Sequence, residues 1–281
     1  MREAMKKILI VDDDRSLRHV LSRLLETAGY SVASEADGVG ALERLNRKKF
    51  DLVLLDVGLP RLSGLEVLSR LRKKKVRPKV IVMTADDTPE TVLSAVRDQA
   101  YRYIVKPFAP NTVVELVQSA LSVAPAAPPI EVLSARPEWV ELLVPCDLES
   151  AERIQSFLER LKEDLPEHVR ESVGRAFREL LLNAIEWGGK LDPNRKVRIA
   201  YLRARRMLMY RIADPGEGFS MEVLAHAAVN NPQGRPFQHA QVREEKGIRP
   251  GGFGILMVKA MVDELLYNEA RNEVVFVKYL D

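Results

Sequence analysis

Two polar side chains one helical turn apart, Glu179 and Asn183, lie in the stretch FRELLLNAIEWGG, from Phe177 to Gly189. The run of good helix formers predicts a helix, on which residues i and i+4 project from one face. Gly188 and Gly189 are typical of its end. A carboxylate can act as a base, and a carboxamide oxygen is a ligand of the kind that Mg²⁺ prefers. The stretch therefore predicts a base beside a cation ligand, although an amphipathic helix with two solvated polar residues would show the same spacing.

A glycine-rich segment follows farther along the chain. Asp214 comes directly after the short apolar strand pattern MLMYRIA and precedes Gly216 and Gly218. Glycines in this position let a backbone approach a flat or charged ligand closely. A buried aspartate can accept a hydrogen bond from an exocyclic amine. A turn that closes a hairpin would have a similar sequence.

A second glycine-rich segment, RPGGFG, contains Arg249, Gly252 and Gly254 and runs into the helical spacing of ILMVKAMVDEL. Its amide groups would lie at a helix N-terminus, where phosphate is favoured. Arg249 abuts the glycines and is the favoured phosphate contact among the basic residues of the long polar segment before them. Taken singly, each of the three patterns is weak evidence of a ligand-binding site.

In this order, E-x-x-x-N on a helix, D-x-G-x-G after a strand and G-x-G opening a helix resemble the N, G1 and G2 boxes of one ATP-binding domain, which histidine kinases, type II topoisomerases and heat-shock chaperones share. ELLLNAIEWGG, DPGEGF, GGFGILMVKAMVDE and the closing EVVFVKYL are most similar to the anti-sigma-factor serine kinases. The resemblance implies an α/β two-layer sandwich that binds ATP and Mg²⁺. It implies these roles: Glu179 as the general base, Asn183 as the Mg²⁺ ligand, Asp214 as the adenine contact, and Gly216, Gly218, Gly252 and Gly254 as nucleotide-loop glycines.

Polar residues also follow short apolar runs in the first part of the chain. KILIV, SVASE, DLVLL, KVIVM and YRYIV alternate with five helical patterns, which predicts an α/β fold with a parallel sheet covered on both faces. The C-terminal ends of such strands meet at one edge of the sheet, where ligands bind. The polar residues that fall at this edge are Asp12, Asp13, Asp56, Thr84 and Lys106.

This set of side chains predicts phosphoryl chemistry. Carboxylates brought together raise one another's pKa unless a divalent cation joins them, which makes Mg²⁺ their natural companion. A lysine adds positive charge, and a hydroxyl can hydrogen-bond a phosphoryl oxygen. The centre would be an aspartyl nucleophile that accepts a phosphoryl group. Strand-end acids that only cap the following helices would look similar, and for Asp14 capping is the better explanation.

The motifs VDDD, LLDVGLPRLSG, VMTA and YIVKPF resemble those of response-regulator receiver domains, which implies a flavodoxin-like, doubly wound (βα)5 fold. QAYRY departs from the usual pattern, so Arg102 changes the charge on a face that commonly dimerises, and a homodimer stays an open alternative. The resemblance implies these roles: Asp56 as the phosphoacceptor, Asp12 and Asp13 with Asp56 in Mg²⁺ binding, Gly58 as a metal contact through its carbonyl, Lys106 as the phosphate contact, Thr84 as the switch hydroxyl and Tyr103 as the switch aromatic.

The chain is predicted to contain two domains, a receiver domain at residues 1–123 and an ATP-binding domain at residues 137–281. Between them, residues 124–136 are rich in proline and alanine, which favours an extended, semi-rigid linker. No helical hairpin with a phosphorylatable histidine precedes the ATP-binding domain. His168 lacks the context of a histidine box and is expected on the surface near a helix start.

Composition narrows the classes of partner. The 281 residues carry 43 basic and 40 acidic side chains, a net charge of +3, which gives no general reason to expect nucleic acid. Cys146 is the one cysteine, so an intramolecular disulfide is excluded and a reducing compartment is favoured. No segment has the apolar length of a membrane span. We expect a cytoplasmic protein without a nucleic-acid or membrane partner.

Together the two resemblances imply a two-component response regulator that an upstream histidine kinase phosphorylates on Asp56. Its output would be an ATP-dependent serine/threonine protein kinase. The C-terminal unit offers no nucleophile of its own, so the acceptor would belong to a partner protein. By the resemblance, this partner is an anti-sigma-factor antagonist, and a sigma factor held inactive is a further candidate.

Two other functions stay open at this point. A histidine-kinase-type enzyme that phosphorylates a histidine on a separate protein would carry the same three boxes. A non-catalytic adaptor would bind ATP only to shape a surface that sequesters a partner. DNA binding is the weakest alternative, because neither a helix-turn-helix segment nor an excess of basic charge is present.

Overall fold

The computed structural model describes residues 5–73, 78–86, 88–122, 129–162, 164–219 and 254–280. The chain divides into two compact units, Met1–Ala127 and Pro128–Asp281. In the described part of the chain, none of the helices combines the length and apolar character needed to cross a bilayer.

The N-terminal unit alternates strands and helices. Its strands are β1 Lys7–Val11, β2 Ser31–Glu35, β3 Leu52–Asp56, β4 Lys79–Thr84 and β5 Arg102–Val105, and its helices are α1 Arg15–Thr27, α2 Gly38–Arg47, α3 Gly64–Arg72, α4 Pro89–Arg97 and α5 Pro110–Ser122. All strand pairs are parallel, in the order β2-β1-β3-β4-β5. The central strand β3 is buried along its whole length, as its continuous apolar sequence requires when helices cover both faces. The predicted doubly wound parallel fold is confirmed.

Polar caps determine where the helices of this unit begin. The carboxylate of Asp14 accepts hydrogen bonds from the backbone N–H groups of Ser16 and Leu17, at 2.7 and 3.2 Å. Ser63 and Glu66 form a reciprocal capping box at the start of α3. Each such cap stabilises its helix by about 1 kcal/mol. The caps lie just after β1 and β3, so they hold the chain in place where it leaves the C-terminal edge of the sheet.

The C-terminal unit has a different architecture. Its strands are β6 Glu131–Arg136, β7 Trp139–Pro145, β8 Lys196–Ala204, β9 Met207–Ala213, β10 Glu264–Tyr267 and β11 Glu273–Tyr279, and its helices are α6 Leu148–Arg160, α7 Glu167–Asn183 and α8 Gly254–Met261. The six strands form an antiparallel sheet in the order β10-β11-β9-β8-β7-β6.

One face of this sheet carries the core of the unit. Along β9, Leu208, Tyr210 and Ile212 are buried and alternate with partly exposed residues. The ring centroid of Tyr210 lies 5.2 Å from that of Phe177 on α7 and 4.9 Å from that of Phe276 on β11. Helix and sheet therefore form two packed layers, as predicted for this unit.

Strand β6 lies in a segment for which a linker was predicted. The structure places Glu131–Arg136 in the second sheet, where it pairs antiparallel with β7. The proline run ends at Pro129, and the sequence EVLSAR that follows can donate hydrogen bonds to a neighbouring strand. The ion pair between Lys196 and Glu131 joins β8 to β6. The linker prediction therefore extended too far into the C-terminal unit.

Strand β10 was also not predicted. The spacing of ILMVKAMVDEL predicts a helix throughout, but α8 ends at Met261 and Glu264–Tyr267 forms a strand. Short apolar runs are ambiguous between helix and strand. The strand is selected by pairing with β11, because Leu265 and Leu266 lie opposite Phe276 and Val275.

Candidate functional site

The first candidate site lies at the C-terminal edge of the parallel sheet. Asp56 ends β3 and is 5% exposed, and Asp12 directly follows β1 and is fully buried. The ammonium group of Lys106 lies 2.7 Å from Asp12 Oδ2 and 3.1 Å from Asp56 Oδ2. Asp13 is exposed beside them, and one oxygen from each of the three carboxylates lies within 4.8 Å of the other two. The structure thus brings together the four charged side chains that the sequence predicted to meet.

The electrostatics of this cluster favour a cation. Burial raises the pKa of Asp12, and the hydrogen bond from Lys106 opposes this rise. Burial alone would lower the pKa of Lys106, but the hydrogen bond and charge of Asp12, together with the charge of Asp56, raise it. Mg²⁺ prefers oxygen ligands, so the carboxylates of Asp12, Asp13 and Asp56 have the right chemistry to hold one.

Two predicted switch residues meet at a residue that sequence reasoning missed. Thr84 ends β4, is buried, and accepts a hydrogen bond from the backbone N–H of Asp86 at 3.0 Å. The buried ring of Tyr103 on β5 points its hydroxyl to the carbonyl oxygen of Asp86, at 2.6 Å. The hydroxyl of Thr91 donates to the carboxylate of Asp86 and lowers the pKa of that group. Nothing in the residue type or spacing of Asp86 distinguishes it from an ordinary loop acid.

Gly58 borders the same site. A Cβ atom at this position would lie 3.8 Å from Asp56 Oδ2, in ordinary contact distance. The role of the Gly58 carbonyl as a metal contact stays a prediction. The peptide bond between Lys106 and Pro107 is cis.

The second candidate site lies at the end of α7. Glu179 and Asn183 are both half-buried and lie one turn apart on this helix, as predicted. After Asn183 the helix continues through Ala184–Gly188 as a single π-helical turn. Such turns are rare and frequently found at functional sites. The turn ends at Gly188, where a Cβ atom would overlap the carboxylate of Asp214. The end of α7 and the loop after β9 are therefore in direct contact.

The loop after β9 is held around Asp214. Its Oδ1 accepts a hydrogen bond from the backbone N–H of Gly216 at 2.7 Å. Burial raises the pKa of Asp214, and both this hydrogen bond and the charge of Arg195 oppose the rise. The side chain of Asn272, which sequence reasoning missed, donates to the carbonyl oxygen of Gly216 at 2.9 Å, and Asn272 accepts from the backbone N–H of Asp214 at 2.8 Å. Gly218 has a positive φ of 85°, which favours glycine.

Helix α8 brings the third predicted element to the site. Its first residue, Gly254, lies against Glu179 so closely that a Cβ atom would overlap the carboxylate. The N-terminus of α8, where amide groups favour phosphate, thus adjoins the predicted base. Arg249 and Gly252 lie outside the described residues, so their roles stay predictions.

This arrangement has the donors and acceptors that a nucleotide needs. Asp214 offers a half-buried acceptor beside backbone held open by glycine, Asn183 offers an oxygen ligand for Mg²⁺, and Gly254 opens a helix N-terminus. These residues fit ATP with Mg²⁺.

Comparisons with known proteins match each of the two units. The model of the response regulator receiver domain matches residues 8–118. The model of the histidine kinase-like ATPase domain matches residues 144–278.

Individual relatives match the N-terminal unit. The alkaline phosphatase synthesis transcriptional regulatory protein PhoP of Bacillus subtilis is 38% identical over 124 residues, which are 44% of this chain and 52% of PhoP. The chemotaxis protein CheY of Thermotoga maritima is 37% identical over 111 residues, which are 39% of this chain and 92% of CheY. The solved CheY-like receiver domain of Methanospirillum hungatei is 31% identical, with a TM-score of 0.41, over 42% of this chain and 95% of that structure. The chain spans only about half the length of PhoP.

The parallel fold and its acidic site define a receiver domain of the response-regulator family. The chain belongs to this family and joins the receiver domain, residues 8–118, to a histidine-kinase-like ATPase domain, residues 144–278.

Proposed function

We propose that this response regulator accepts a phosphoryl group on Asp56 from an upstream histidine kinase. We further propose that its ATPase domain transfers the γ-phosphoryl group of ATP to a serine or threonine of a partner protein. The main support for the proposed kinase activity is the contact between Glu179 and Gly254. Because of this contact, a base lies at the helix N-terminus that would hold the nucleotide phosphates.

The receiver half uses the buried cluster of charges. An oxygen of Asp56 attacks the phosphorus atom, the bond from phosphorus to the donor's histidine nitrogen breaks, and an acyl phosphate forms. Lys106, 3.1 Å from Asp56 Oδ2, is placed to contact a phosphoryl oxygen, and Thr84 offers a hydroxyl to another. Bound Mg²⁺ would neutralise the charge that develops on the phosphoryl oxygens. Asp12 and Asp13 would hold this ion together with Asp56.

The ATPase half uses groups from three elements. Asp214 would accept a hydrogen bond from the adenine amine, and Asn183 would hold Mg²⁺ against the phosphates. Glu179 would accept the proton of the attacking hydroxyl as its oxygen bonds to the γ-phosphorus and ADP leaves. The C-terminal motifs support an anti-sigma-factor antagonist as the acceptor protein, with a sigma factor as a second bound partner. The lone, buried Cys146 supports a cytoplasmic location.

The deciding experiment incubates the full chain with γ-labelled ATP, Mg²⁺ and extract of the source cell, with and without acetyl phosphate. We expect an acid-stable label on a partner protein, and we expect Glu179→Gln and Asn183→Ala to abolish it. An acid-labile label would instead assign a histidine acceptor. No transfer at all would leave an ATP-dependent sequestering adaptor.

A binding measurement distinguishes variants that lose catalysis from variants that lose ATP binding. The chain has two tryptophans, and in Trp139→Phe the emission comes from Trp187 alone. Trp187 is 52% exposed and directly precedes Gly188, which contacts Asp214. ATP should therefore change its fluorescence. Glu179→Gln should keep this change while losing transfer, whereas Asp214→Asn should weaken it.

A further inference from the structure

A cavity of about 400 Å³ lies at one edge of the ATPase domain. Its apolar wall is formed by Phe219, Ile255, Leu265 and Tyr267. The rings of Phe219 and Tyr267 meet edge to face, with their centroids 5.8 Å apart. None of these residues belongs to the proposed nucleotide site. A cavity of this size accommodates a large apolar side chain.

Among the described residues, the rim of the cavity carries a net positive charge. Lys259 on α8 and Arg271 in the turn before β11 both line it, beside the single acid Glu269. Within the described residues, neither cation has an ion-pair partner. The contrast with the neighbouring strand β11 is clear, because Lys278 there pairs with Asp263 at 2.9 Å. The rim therefore favours a ligand that carries a carboxylate.

The floor of the cavity belongs to an edge strand. Among the described strands, β10 pairs with β11 on one side and ends the sheet on the other. Leu265 and Tyr267 are two residues apart on β10, so both face the cavity, while Leu266 points to the opposite face and is 58% exposed. An edge strand offers unpaired backbone N–H and C=O groups, to which an extended peptide can add as a further strand.

We propose that the groove between α8 and β10 binds an extended acidic segment of a partner protein. The segment adds a strand to β10, packs one apolar side chain into the cavity against the rings of Phe219 and Tyr267, and sets a carboxylate beside Lys259 and Arg271. A peptide fits better than a small metabolite because the backbone edge of β10, the apolar cavity and the two cations all border one groove. This docking site goes beyond the proposed phosphoryl transfer and does not depend on it.

The test measures peptide binding to the full chain without ATP. An array of short peptides in which every position is varied should enrich aromatic or large aliphatic residues next to Asp or Glu. A fluorescein-labelled peptide with Phe between two Asp residues then serves as the probe in anisotropy titrations. Replacing its Phe by Ala, or its Asp residues by Lys, should weaken binding by about tenfold or more. Methylating the peptide amides that face β10 should weaken it to a similar extent, because the added strand loses its hydrogen bonds.

Protein variants complete the test. The double variant Lys259→Glu with Arg271→Glu should lose about tenfold in affinity for the acidic probe and gain affinity for the lysine-flanked peptide. Arg205→Glu with Arg206→Glu is the matched control, because it reverses two exposed cations in the turn between β8 and β9. It should leave the affinity for both peptides unchanged. The proposal is overturned if the array shows no preference for acidic peptides, if the double variant binds the probe normally, or if amide methylation has no effect.

Discussion

Lys162 buries a positive charge that no described carboxylate neutralises at ion-pair distance. It is 2% exposed, and its ammonium nitrogen lies 5.9 Å from the ring centroid of Tyr210. Burial lowers the pKa of Lys162 to about 8 from the ordinary 10.5, and the charge of Glu159 opposes this shift. Folding at neutral pH therefore has to bury a cation that water would solvate better, which costs stability.

The lowered pKa of Lys162 determines how the free energy of unfolding changes with pH. Between about pH 8 and about pH 10.5 the unfolded chain keeps a proton on Lys162 that the folded chain has lost, so the contribution of this residue to stability rises with pH. Lys162→Met should remove this rise. The variant should also be more stable at neutral pH by about 2 to 4 kcal/mol, the equivalent of the pKa shift.

Urea unfolding of both proteins at about pH 7 and about pH 10 checks this prediction. Trp139 and Trp187 both lie in the C-terminal unit, Pro128–Asp281, so their fluorescence reports the unfolding of this unit alone. Burial also raises the pKa of Cys146, to about 11, but its effect is common to both proteins and cancels in the difference. Equal pH slopes in the two proteins would mean that Lys162 has a partner that neutralises its charge.

Residue types and spacing were sufficient to predict that Asp12 and Asp56 meet at one edge of the sheet. Both follow strands of a parallel sheet, and parallel strands end at the same side. The contacts of Asp86 and Asn272 could not be predicted in the same way, since neither residue belongs to a motif. Asp86 binds the hydroxyl groups of Thr84 and Tyr103 through its backbone N–H and C=O. Asn272 binds backbone groups of Asp214 and Gly216.

Two glycines, one in α7 and one in the π-helical turn after it, differ in the space that a side chain would have. Gly188 ends the π-helical turn against Asp214 and leaves no room for a Cβ atom, whereas a Cβ atom at Gly174 would lie 3.9 Å from Lys162 Nζ. Glycine in a helix interior costs about 0.5 to 1 kcal/mol relative to alanine. The same substitution should therefore have opposite effects at the two positions.

Gly174→Ala should stabilise the ATPase domain by about 0.5 kcal/mol and leave ATP affinity unchanged. Gly188→Ala should destabilise it by about 1 to 3 kcal/mol, because overpacking separates α7 from the loop that carries Asp214. Its ATP affinity should fall about tenfold or more, since that separation moves the proposed adenine contact. Urea unfolding and ATP titration measure both effects. Normal ATP affinity in Gly188→Ala would place the nucleotide elsewhere.

The elements that sequence predicted well are those with a strong period. Strand β9 has the predicted bounds, Met207–Ala213. Strand β6 was missed because the linker predicted from the proline run was extended over Glu131–Arg136. Strand β10 was missed because its short apolar run also fits the end of a helix.

The chain as a whole joins a receiver domain to an ATPase domain, so under the proposed function its regulation would be a coupling free energy between the two sites. If phosphorylation of Asp56 changes the ATP affinity by some factor, ATP must change the affinity of the receiver for a phosphoryl mimic by the same factor. A typical coupling of about 1 to 3 kcal/mol corresponds to a change of about fivefold or more.

Beryllofluoride, which binds an aspartate as an acyl-phosphate mimic, makes this coupling measurable at equilibrium. We expect beryllofluoride with Mg²⁺ to change the ATP affinity of the Trp139→Phe chain about fivefold or more, and ATP to change the beryllofluoride affinity equally. Asp56→Asn should abolish both effects and leave basal ATP affinity unchanged, because it removes the acceptor carboxylate without altering the ATPase domain. Tyr103→Ala should keep beryllofluoride binding and reduce the coupling, since its hydroxyl joins β5 to the loop after Thr84. Equal ATP affinities with and without beryllofluoride would show that the receiver regulates something other than nucleotide binding.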